Sequence, residues 1–130
     1  MDVTMVFLEP QAREVWIAKE NGWMARGGFK LNINQLTFGM AIKDLRTVTV
    51  VDWESGHFVI DLTVHQQEFE DCKTKEGLLR VFSGYGMNLA EIAKMIGYDK
   101  LQGISEEVKE KIEATIGPKP ESKEIKDWED

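Results

Sequence analysis

The chain has 130 residues, 42% of them hydrophobic and 30% charged, with 23 acidic against 16 basic residues and a net charge of −7. This length suits one domain that can bury a core without metal or disulfide, and the composition excludes a disordered chain. Nucleic acid and anionic membrane are disfavoured partners, because both repel an acidic protein at long range. One cysteine, Cys72, excludes an internal disulfide and fits a reducing compartment. No basic n-region opens the sequence and no run approaches ~18 apolar residues, so the expected location is the cytoplasm.

In chain order, VTMVFL at 3–8 is β-branched and aromatic and predicts a strand, ended by Glu9-Pro10. Residues 10–22 fit two readings. One is a helix opened by Pro10, the other a hairpin turning at Asn21-Gly22. The short apolar runs VWIA and WMAR favour the hairpin. Gly27-Gly28 predicts a break, after which Phe29, Leu31 and Ile33 alternate with Lys30 and Asn32 as a strand. Residues 35–45 predict a short helix after an Asn34 cap, weakened by Gly39 at a cost of about 1 kcal/mol.

The clearest β signal is TVTVVDWESGHFVIDLTV at 47–64, with runs 47–53 and 58–64 around the loop Glu54-Ser55-Gly56-His57. Phe58, Ile60, Leu62 and Val64 are expected on the buried face. Val59, Asp61, Thr63 and His65 are expected on the wet one.

After residue 65 the period changes from 2 to 3.6. QQEFEDC predicts a first helical piece. Thr74 predicts a cap for KEGLLRVFSGYG, with Leu78, Leu79 and Phe82 inward. In MNLAEIAKMIGYDK at 87–100, Leu89, Ile92, Ala93 and Ile96 share a face between an Asn88 cap and Gly97. Ser105 predicts the start of EEVKEKIEATI, striped by Val108, Ile112 and Ile116 and stopped by Gly117-Pro118. Residues 105–130 hold nine acids and five lysines. PKPESKEIKDWED, 118–130, lacks periodicity and predicts a mobile acidic tail. The expected architecture is α+β: a single domain over 1–117, with an antiparallel sheet from the N-terminal half packed against a C-terminal helical cluster.

NLAEIAKMIGY resembles the first helix of the DNA-binding headpiece in the lactose-repressor-like family, and ISEEVKEKI resembles the opening of its third helix. The resemblance implies a recognition helix between them. Only Asp99 to Gly103 separates Tyr98 from Ile104, which is too short for one. Glu106, Glu107, Glu110 and Glu113 follow and repel phosphate. A shifted helix-turn-helix over residues 75–96 is the alternative, acting as a DNA-binding transcriptional regulator.

His65, Glu68 and Cys72 at i, i+3, i+7 can share a helical face, but a closed zinc site wants four ligands, so no metal is assigned. Cys72 with His57 or His65 describes a small enzyme as a second alternative. Glu68, Glu70 and Asp71 oppose the electropositive setting that a thiolate needs. No catalytic residue and no cofactor is assigned. The leading expectation is a small acidic protein-binding module, a regulator or inhibitor of a basic partner, with a nucleic-acid-processing protein as one concrete form of that partner. Its expected partner-binding residues are Trp53 beside the hairpin loop, and Ile125 and Trp128 in the tail.

Overall fold

The structure, a computed structural model, describes residues 5–44, 46–63 and 75–126. Six antiparallel strands come first: β1 (Val6–Leu8), β2 (Arg13–Lys19), β3 (Gly22–Ile33), β4 (Leu36–Asp44), β5 (Thr47–Asp52) and β6 (Phe58–Thr63). Two helices follow, α1 (Lys75–Ile96) and α2 (Tyr98–Ile116). The fold is α+β. The sheet order is β1-β3-β4-β5-β6, with β2 pairing β3 beside β1. No helix among the described residues is long and apolar enough to cross a membrane.

The hairpin reading of residues 10–22 holds, with Lys19 opposite Gly22. Its two-residue turn is Glu20-Asn21, one position earlier than expected, and Gly22 (φ 153°) opens the next strand. Gly27-Gly28 is no break, because β3 runs through it. Gly28 pairs with Arg13 on one edge and Ala41 on the other. A Cβ there would collide with the Met40 carbonyl, so only glycine allows this approach.

The helix expected over 35–45 is strand β4 instead. Asn34 is not its cap. At φ 55° it makes the tight turn that joins β3 to β4, and its carboxamide oxygen accepts the Met5 amide at 2.8 Å. Leu36, Phe38 and Met40 do alternate, towards the helical layer. On the other face, Gly39 and Ala41 also meet apolar surroundings. Ala41 belongs to a second small core with Val15, Ile17 and Val51, and a Cβ on Gly39 would lie 2.6 Å from Val15 Cγ1. Burial on both faces erased the polar-apolar alternation that marks a strand. The sheet curls to make this second core. β2 folds over the outer face of β4 and β5, and the Ala18 amide reaches the Gly56 carbonyl at 2.9 Å.

The β5–β6 hairpin forms as expected, with Val48 opposite Leu62 and Val50 opposite Ile60. Ile60 and Leu62 pack against the main core. Phe58 does not, and is 48% exposed. The register jumps from Val50–Ile60 to Val51–Phe58, which leaves Val59 as an extra residue. Such a bulge sends the residue beyond it to the other face. Val64 and His65 lie outside the described residues, as do the helical piece at 66–72 and the Thr74 cap.

Residues 75–96 are one helix, not two pieces, and Asn88 lies within it. Phe82, Leu89, Ala90 and Ala93 are buried, while Ile96 is 44% exposed. Phe82 meets Phe29 of β3 edge to face, with ring centroids 5.2 Å apart. A Cβ on Gly86 would stand 3.1 Å from Leu31 Cδ1, so α1 lies close on the sheet there. Gly97 (φ 106°) ends α1, and its amide bonds the Ala93 carbonyl at 2.9 Å. Ser105 caps nothing, because α2 has already begun at Tyr98 and includes Asp99 to Gly103. No residue of α2 is fully buried. It leans on the sheet through half-buried Leu101, Ser105, Val108, Ile112 and Ile116. Gly117 (φ 87°) stops it as expected.

Candidate functional site

A cavity of about 260 Å³ opens between the β3–β4 turn, the end of β5 and α2. Gln35 and Thr37 come from the turn, Asp52 and Glu54 from β5 and its loop, and Gln102, Ser105, Glu106 and Lys109 from successive turns of α2. Three carboxylates thus face one ammonium, and that ammonium lies 3.9 Å from Glu54.

Asp52 is the best-held of the three. Its Oδ2 accepts the Ser55 amide at 2.9 Å, the Ser55 hydroxyl at 2.6 Å and the Ser105 hydroxyl at 2.5 Å. The first two bonds close the tight loop locally, as a short acidic side chain does where it replaces backbone pairing. The third ties the loop to α2. Ser55 is buried, and its hydroxyl oxygen also accepts the His57 amide at 3.1 Å.

A second concavity of about 300 Å³ lies between the β2–β3 turn and the far end of α2. It is more apolar, with Ala18, Ile112 and Ile116 in its wall and Lys19, Glu20, His57 and Lys111 around it.

The expected binding residues are placed as follows. Trp53 is half-buried just after β5. It packs on the second core, and its carbonyl accepts the Lys119 ammonium at 2.5 Å. Its ring carries Lys119 Nζ at 4.4 Å and Lys30 Nζ at 5.0 Å. Ile125 packs against the main core, and its amide bonds the Ala12 carbonyl at 2.7 Å. Trp128 lies outside the described residues, as do His65, Glu68 and Cys72. His57 is exposed beside the second concavity. Among the described residues no group of His, Cys, Asp and Glu side chains is placed to hold a metal.

Residues 117–126, which from Pro118 onwards belong to the expected tail, lie along β2. Trp23 Nε1 donates to the Gly117 carbonyl at 3.2 Å, and Trp16 Nε1 to the Glu121 carbonyl at 3.3 Å. The Glu14 amide donates to the Lys123 carbonyl at 2.9 Å, and the Arg13 and Glu124 backbones pair as an isolated antiparallel bridge. This strap covers the otherwise open edge of β2. Burial pushes the Lys119 amine below the ordinary lysine range. Glu54 opposes this shift, Lys30 adds to it, and the weaker effects of Asp52 and Lys109 oppose and add in turn.

Sequence reading missed the part played by Asp52, Ser105 and Glu106. Asp52-Trp53-Glu54-Ser55 did carry a signal, since an aspartate three residues before a serine suits a side-chain-closed loop. Ser105 resembled a cap, and nothing local distinguishes a capping serine from one that bonds a distant carboxylate. No family model, curated protein or solved structure matches the chain.

Proposed function

We propose that the chain is an acidic protein-binding module that regulates or inhibits a basic partner, receiving a lysine or arginine side chain of that partner in the Asp52–Glu54–Glu106 cavity. The observation that carries this reading is the lining: three carboxylates against one already paired ammonium, with hydroxyl and amide groups between them. A guanidinium or ammonium is the group such a lining would favour. At about 260 Å³ the cavity is smaller than the roughly 300–1,000 Å³ of usual small-molecule sites, and a single long side chain suits it better. Glu110 and Glu113 extend the negative surface along α2 and would steer a basic protein towards the cavity. The same surface speaks against the DNA-reading alternative, since it repels phosphate and residues 75–96 contain no turn.

The test is affinity capture with the full chain and with the exposed-site variant Glu54→Lys/Glu106→Lys. The wild type should retain a basic protein that the variant loses. The association rate of that protein should fall steeply between low and near-physiological salt. Equal capture by both forms, or capture of acidic proteins only, rejects the proposal.

A further inference from the structure

A third concavity, of about 120 Å³, opens where the curled sheet closes on its second small core. Ile17 of β2 and Met24 of β3 reach it from that core, and Phe58 of β6 forms part of its wall. The β6 bulge leaves Phe58 48% exposed, so a large aromatic face borders this opening instead of joining the main core. Among the described residues the wall also carries three cations, Lys19, Arg26 and Lys43, against one acid, Asp61. In a chain of net charge −7 that is a local reversal of sign.

The three cations are not equivalent. Lys43 is engaged, with its ammonium 3.0 Å from Asp61. Asp61 is committed to that bond and to the Thr49 hydroxyl. Asp44, the other acid whose field reaches Asp61, accepts the Arg46 amide at 2.8 Å. Lys19 is offset by its chain neighbour Glu20. Arg26 is left over. Among the described residues its side chain makes one hydrogen bond, from Nη1 to the Lys43 carbonyl at 3.3 Å, and no ion pair. A guanidinium presents five N–H donors in a planar fork. The edge formed by Nε and Nη2 thus has no partner among the described residues, and such an edge grips both oxygens of a carboxylate.

Charge and size choose among anions. Asp61 in the wall opposes a doubly charged head more strongly than a singly charged one. The opening is also well below the roughly 300–1,000 Å³ of usual small-molecule sites, so it suits a small planar head. We propose that it binds a small organic monocarboxylate with an aromatic or branched apolar body. The carboxylate lies on the Nε–Nη2 edge of Arg26, and the body lies against Ile17, Met24 and the half-exposed ring of Phe58. This site shares no residue with the acidic cavity and does not depend on the basic partner.

The experiment is titration of the full chain with benzoate, acetate and benzamide, followed by amide chemical shifts. Acetate lacks the ring, and benzamide lacks the charge. Benzoate should bind about tenfold more tightly than either, with shifts centred on β3 and β6. Arg26→Leu should weaken benzoate by about tenfold or more, and Arg26→Lys, which keeps the charge but loses the fork, should not restore it. Phe58→Ala should erase the preference for benzoate over acetate. Thermal melts of all three variants establish that they fold. Benzoate binding weaker than about 10 mM overturns the proposal. So does equal binding of benzamide, an unchanged affinity in Arg26→Leu, or a benzoate preference that survives Phe58→Ala. Tighter binding of phenylphosphonate than of benzoate rejects the assignment to a monocarboxylate.

Discussion

Ser105, in the second turn of α2, donates its hydroxyl to the carboxylate of Asp52 at the end of β5, at 2.5 Å and across 53 residues of chain. Because α2 has no fully buried residue, this bond carries more of its attachment than a polar contact usually does. A hydrogen bond to a charged group contributes about 1.5–3 kcal/mol. Ser105→Ala should therefore cost about 1–2 kcal/mol at this half-buried position. It should also speed hydrogen exchange over residues 98–116 while leaving β3 and β4 protected. Uniform loss of protection across both layers would show instead that α2 and the sheet open as one unit. Asp52→Ala should cost more, because it strands the buried Ser55 hydroxyl as well.

Phe82 and Phe58 test the packing from opposite sides. Phe82 is fully buried against Phe29, and truncation to alanine should cost about 3–5 kcal/mol. Phe58 sits beyond the bulge and is half-exposed, so Phe58→Ala should cost under about 1 kcal/mol. Urea midpoints at constant m-value compare the two directly. Equal losses would mean that the bulge does not turn Phe58 away from the main core.

These contrasts also mark what could be read from residues alone. Phe29-Leu31-Ile33 alternates against polar neighbours, so strand and face are both legible there. The strand around Ile60 and Leu62 is legible too, but Val59, expected on the wet face, packs against the main core. Leu36–Asp44 shows no such alternation, because Gly39 and Ala41 face a second core that exists only once β2 folds over them. That is a tertiary fact with no local signature. Phe58 fails for a related reason, since one unpaired residue shifts the parity of everything beyond it. The acidic cavity draws on three segments distant in sequence. Its carboxylates were visible only as part of a general acidic excess.

Asp61 gives the pH dependence. Burial alone would raise its pKa, but hydrogen bonds from Lys43 at 3.0 Å and from the Thr49 hydroxyl at 2.8 Å outweigh this and hold it below the ordinary carboxylate range. A depressed folded-state pKa means that the native state binds the proton less readily than the unfolded chain. The stabilisation is then fully present above the unfolded value of about 3.9 and is lost as pH falls through the folded one. Asp61→Ala should cost about 1–2 kcal/mol at pH 7, because it removes the ionised acceptor that holds the buried Thr49 hydroxyl and Lys43. The gap between wild type and variant should narrow below about pH 4. A gap that stays constant down to pH 2.5 would place the effect in packing and not in charge.

The strap offers the broadest test, because sequence and structure lead to different expectations for it. With only Ile125 and Trp128 as large apolar side chains, residues 118–130 lack the means to offset an ordering cost of roughly 1–2 kcal/mol per residue by themselves. A free tail would leave the melting temperature nearly unchanged when deleted. In the structure the cost is met by what the strap lies on. Trp16 and Trp23 donate to its carbonyls, and β2 supplies the backbone partners Ala12 and Glu14. Ile125 reaches the main core. Deleting 118–130 would uncover the β2 edge and leave the Trp16 indole without its Glu121 acceptor. We expect a loss of about 2–4 kcal/mol, which for a chain of this size lowers the melting temperature by roughly 6–15 °C. Ile125→Ala should reproduce about 1–2 kcal/mol of it. Trp128→Ala, beyond the contacts described, should leave the melt of the dilute protein unchanged. An unchanged melting temperature after the full deletion would mean that the strap contacts contribute nothing net and that the expectation of a free tail was sound.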